Sequence, residues 1–89
     1  MNAIVTVVGR DRVGIIAAIC NKLAGFNVNI LDISQTILQG SFTMVMAVDV
    51  GAATASFGDL SAALSDLGSE MGLSIRIQRE DIFNAMHTI

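Results

Sequence analysis

Six apolar segments follow one another in this chain in the order strand, helix, strand, strand, helix, strand. Only the second and fifth carry helical spacing, and a short polar turn joins the third to the fourth. These observations predict an α+β sandwich. Right-handed crossovers place both helices on one face of a four-stranded antiparallel sheet, the ferredoxin-like βαββαβ arrangement. A short C-terminal helix is expected after it.

Residues 3–8 are almost continuously apolar and β-branched, as in a central strand covered on both faces. Gly9 to Gly14 form a polar, glycine-bracketed turn. Asp11 is placed to cap a helix over residues 13–24, whose Ile16, Ile19, Cys20 and Leu23 recur at helical steps. Gly25 is the expected stop. Residues 28–38 alternate as a second strand, with Leu31, Ile33 and Ile37 on one face and Asp32, Ser34 and Thr36 on the other. Gln39-Gly40-Ser41 turns the chain into a hairpin. The third strand then carries Phe42, Met44, Met46, Val48 and Val50 on one side.

A loop at 51–54 leads to a helix over 54–71, with Phe57, Leu60, Leu64, Leu67 and Met71 in one stripe and Gly72 ending it. Residues 73–79 alternate Leu73, Ile75 and Ile77 against Arg76 and Gln78, as an edge strand does. In the tail, Ile82, Phe83, Met86 and Ile89 fall on one helical stripe that would dock on the domain or a partner. The 89 residues make one domain, a core over 1–79 and a helical tail over 80–89.

Composition narrows the function. Hydrophobic residues are 53% of the chain and charged residues 15%. This exceeds what one small core requires and points to a further buried surface, most simply between subunits. A net charge of −3 is not the footprint of a nucleic-acid binder. No run is long enough for a membrane span, and no signal-peptide pattern opens the chain. With one cysteine, no internal disulfide can form, and a reducing cytoplasmic location is the default.

The turn between the first strand and first helix leaves backbone N–H groups free at a helix N-terminus, a seat for a carboxylate. Asn29 lies where the second strand begins, and its amide both donates and accepts. Each residue also has a plainer reading. Gly14 fits close packing, Asp11 an N-cap, Asn29 a turn residue, and Arg10 and Arg12 solvated charges. Cys20 fits a small core residue, and His87 a surface residue at a helix end rather than a metal ligand. No nucleophile–base pair, metal set or paired carboxylates stand at a suggestive spacing, so neither an enzyme nor a cofactor is expected.

Other users of this fold leave marks that are missing here. RNA-recognition motifs carry basic and aromatic residues on the third strand, where this chain has Phe42-Thr43-Met44-Val45-Met46. Copper-chaperone domains need a Cys pair in the first loop. Acylphosphatases place an arginine in a phosphate-cradling first loop; Arg10 and Arg12 are present without the rest of that signature.

The run Val8-Gly9-Arg10-Asp11-Arg12-Val13-Gly14-Ile15-Ile16 resembles the ACT domain, a small regulatory module that binds amino acids. Leu23-Ala24, Asn27-Val28-Asn29-Ile30 and Asp32-Ile33-Ser34-Gln35-Thr36 extend the resemblance over roughly the whole chain. It is most similar to the stand-alone, UPF0237-like ACT proteins of about ninety residues, and more loosely to the two-domain glycine-cleavage repressor type. The resemblance implies an effector, an amino acid, bound between two subunits against the first turn and the start of the second strand. Carried over by position, the binding residues are Gly9, Arg10, Asp11, Arg12, Val13, Gly14, Asn29 and Ile30. Where serine-binding members carry a His in the turn, this chain has Arg10 and Asp11. The implied partners are a second copy and a metabolic enzyme or regulator. A ligand-free interaction module of the same fold is the alternative.

Overall fold

The computed structural model describes residues 2–80. The expected tail helix and His87 lie outside the described residues, apart from Glu80. Six elements appear in the predicted order: β1 (Asn2–Arg10), α1 (Ile15–Gly25), β2 (Asn29–Leu38), β3 (Ser41–Asp49), α2 (Phe57–Met71) and β4 (Leu73–Arg79). The four strands form one antiparallel sheet in the order β2-β3-β1-β4.

One face of the sheet carries both helices. Val5 and Val7 of β1, Met44 and Met46 of β3, Ile19 and Leu23 of α1, and Leu60 and Leu64 of α2 are buried between the layers. Alternation explains the strands: each buried residue is followed by one on the opposite side. β1 is central, and among the described residues only its helix side is covered. Its helix side is sealed, whereas Ile4, Thr6 and Val8 lie on the open side, and Val8 is 46% exposed. Apolarity alone does not separate a doubly covered strand from one whose outer face is aliphatic.

Several boundaries move, each for a local reason. The first helix starts at Ile15, capped by Gly14 at φ 90°, with no side-chain cap. Asp11 is not the cap; its backbone N–H donates to Gly40 O at 2.9 Å. Ile15, two residues later than the expected start, becomes a core residue. α1 ends at Gly25 as expected, but not through a left-handed glycine. The left-handed residue is Asn27 at φ 59°, and its side-chain amide donates to Ala52 O at 2.9 Å, which anchors the exit of α1. α2 begins at Phe57 rather than 54, because the Ser56 hydroxyl accepts from the Asp59 N–H.

Between β2 and β3, Gln39 and Gly40 both take positive φ, as a two-residue type I′ hairpin requires. The strict alternation expected for β2 is broken by a bulge: Ile30 pairs with Val48 and Asp32 with Ala47, which leaves Leu31 without a partner. β2 is otherwise almost wholly exposed, with Leu31, Ile33, Ile37 and Leu38 all open to solvent. Cys20 is half-buried against the core. No helix among the described residues is long and apolar enough to cross a membrane.

Candidate functional site

β1 delivers the chain at Arg10 to one end of the sheet, and α1 leaves that same end at Ile15. The turn between them is pinned twice. Asp11 N–H donates to Gly40 O in the hairpin, and the Arg12 guanidinium donates to Met71 O, 3.2 Å away, at the C-terminus of α2. Arg12 therefore supplies a cation to the negative end of that helix. Gly14 sits at φ 90° with open space where a side chain would project, so backbone conformation, not packing, demands glycine there.

Beside this turn lies an open cavity of about 280 Å³. Asp11, Arg12 and Gly14 form its mouth, Ile15, Ile16 and Ala17 bring the first turn of α1, and Gln35, Ile37 and Phe42 form a wall from β2 and β3. No side chain caps α1 and no acid occupies its first turn. Its hydrogen bonding opens with Ala18 N–H on Gly14 O. The preceding amides face a site with donors, one carboxylate and an apolar wall, the requirements of a small zwitterion.

Among the residues expected at the site, Asp11, Arg12 and Gly14 come together. The others do not join them. Gly9 packs against β4, where an added Cβ would strike the Leu73 side chain. Arg10 ends β1, exposed. Val13 is wholly exposed. Asn29 and Ile30 stand at the far end of the sheet: Asn29 pairs with Asp49, and Asp49 with Asn2, whereas the turn follows Arg10, opposite Ser41. Nine residues of extended chain separate those ends by about 30 Å. Sequence reasoning missed Gln35, Ile37 and Phe42. The available signal was Gln35, a polar residue on the Ile33–Ile37 face of β2.

Larger cavities lie elsewhere. One of about 590 Å³ runs between the Ser61, Ser65 and Ser69 side of α2 and β4, and one of about 400 Å³ lies on α1 near Phe26. Neither lies at a helix N-terminus; the smaller one sits at the C-terminal end of α1, beside Lys22. Among the described residues, no group of three or more His, Cys, Asp or Glu is placed to hold a metal ion. Asp49 has its carboxyl held below its ordinary value, first by the Gly51 N–H that it accepts at 2.9 Å.

Fold and site together define the class: a two-layer βαββαβ sandwich with a cavity at its first strand–helix turn. The ACT domain family model matches residues 2–78, and the chain belongs to that family. A UPF0237 protein of Listeria monocytogenes is 49% identical over the full length of both chains. A UPF0237 protein of Bifidobacterium longum is 55% identical and covers 98% of this chain and 97% of its own. An ACT domain protein of Streptococcus pneumoniae superposes with a TM-score of 0.82 at 40% identity, covering 93% of each chain.

Proposed function

We propose that this chain is a cytoplasmic regulatory module that binds an amino acid at a homodimer interface and signals to a partner protein, a metabolic enzyme or regulator. The observation that carries this reading is the cavity beside the uncapped start of α1, where Asp11, the first-turn backbone and the Ile37–Phe42 wall converge. The α-carboxylate takes the helix N-terminus, the ammonium takes Asp11, and the side chain lies on the wall.

The second copy supplies what the single chain lacks. β2 is an edge strand with exposed Leu31, Ile33 and Ile37, a strong template for pairing. Antiparallel pairing of two β2 strands about a two-fold axis at Ser34, with the bulge at Leu31 taking up one residue, sets Asn29 of each beside Leu38 of the other, next to the turn. Asn29 then reaches the ligand across the interface, as the family resemblance implies. Ligand binding favours the dimer arrangement that closes the cavity, because an effector shifts an equilibrium only by differential affinity.

A thermal-shift panel of the twenty amino acids tests the reading. An amino acid at about one hundred times its Kd is expected to stabilise the fold by about 2.7 kcal/mol, a Tm shift of about 10–20 °C in a domain of this size. Asp11→Asn and Asn29→Ala are expected to abolish the shift while the chain stays folded. A flat panel from a well-folded dimer would favour the ligand-free interaction module instead.

A further inference from the structure

We infer that Gln35 is the specificity-determining residue of the cavity at the turn, and that the ligand is a neutral amino acid whose side chain ends in a carboxamide; this rests on the amino-acid reading proposed above. Strand register sets Ile30, Ile33, Gln35 and Ile37 of β2 opposite Val48, Met46, Met44 and Phe42 of β3, which are buried beneath the helices. Gln35 alone breaks the apolar character of that side of β2. A packing role at this position would be filled by a further isoleucine. The Gln35 amide makes no hydrogen bond among the described residues, and it lines the cavity.

Gln35 stands one step in from the turn. Ile37 and Phe42 lie at the level of Gly9, whereas Gln35 and Met44 lie at the level of Val7. Two residues of strand separate these levels by about 7 Å. The charged residues that line the cavity, Asp11 and Arg12, are both at its mouth. A bound amino acid therefore leaves its carboxylate and ammonium at the turn and sends its side chain inward, across Ile37 and Phe42, to Gln35. A side chain four bonds long reaches about 5 Å from its Cα, and a hydrogen bond adds about 3 Å. A glutamine-length side chain spans the step, whereas serine and threonine stop on the apolar wall.

Two carboxamides pair reciprocally, each donating an N–H and accepting at its carbonyl. A carboxylate end would find one donor and an apolar wall, with no cation lining the cavity at that depth among the described residues. An aliphatic or thioether end leaves the Gln35 amide unpaired, which costs most once water is excluded. Gln35 is exposed in the single chain. With two β2 strands paired about Ser34, it lies beside the partner's Ile33, an apolar neighbour on the same face. The dimer thus encloses the amide and sharpens the choice.

Isothermal titration calorimetry of the full chain with L-glutamine, L-methionine and L-glutamate tests this inference. Methionine matches glutamine in length without the amide, and glutamate matches its shape with a charge. Glutamine is expected to bind about tenfold tighter than either. Gln35→Met is expected to weaken glutamine binding about tenfold and to leave methionine as tight or tighter, so the preference is lost or reversed. Asp11→Asn is expected to weaken both ligands alike. Methionine or glutamate binding the wild type as tightly as glutamine overturns the inference, and so does a glutamine-to-methionine ratio that Gln35→Met leaves unchanged. In either outcome amino acids still bind in a way that depends on Asp11, and the reading of the site stands. No heat from any of the twenty amino acids overturns that reading and this inference together.

Discussion

Gly14 and Gly68 are glycines for different reasons, and the two separate ligand binding from folding. At Gly14 the backbone takes φ 90° with open space around it. Gly14→Ala is expected to cost about 1–2 kcal/mol of strain, read as a lower urea midpoint, and to weaken amino-acid binding by distorting the start of α1. At Gly68 a Cβ would stand 2.6 Å from Leu73 O, where α2 crosses β4. Gly68→Ala is expected to cost about 1–3 kcal/mol through that overlap and to leave per-molecule affinity unchanged in the folded fraction. Asp49 gives a pH signature. Its folded carboxyl titrates below the ordinary 3.8. The stability it contributes is thus fully present above that value and is lost as pH falls through the lowered one. In acid denaturation, the gap between wild type and Asp49→Asn is expected to hold at neutral pH and to close below pH 3.8.

Element order was legible in the sequence because alternation and helical stripes survive in every segment. Phe57, Leu60, Leu64, Leu67 and Met71 read as a stripe, and all five pack on the core. Element ends were less legible, because they depend on hydrogen bonds to distant residues. Asn27 replaces Gly25 as the left-handed residue through its bond to Ala52, and Asp11 is held by Gly40 instead of capping α1. The site was half legible for the same reason. The turn is local, so Asp11, Arg12 and Gly14 could be read from it. The Gln35–Ile37–Phe42 wall arrives only through strand register, and Asn29 needs a second chain to approach the turn. Ser56 tests the local rule: Ser56→Ala removes the one side-chain acceptor at the start of α2 and is expected to cost about 1 kcal/mol in thermal or urea unfolding.

At the scale of the whole molecule, the β2 edge stays apolar among the described residues after the core is built. The cavity at the turn borders it, through Gln35 and Ile37. The account therefore ties ligand affinity to β2 pairing, and Ile37→Lys is expected to lower both the dimer population and amino-acid affinity together. The most direct measurement is an amide NMR titration of the isotope-labelled chain with pooled amino acids. Shifts confined to Asp11 through Ala17, Gln35, Ile37 and Asn29 are the expected result. Asn29 is the telling residue, because within one chain it lies about 30 Å from the turn. Shifts at the turn without Asn29 would contradict the shared site, and an unperturbed spectrum from a folded dimer would contradict ligand binding altogether.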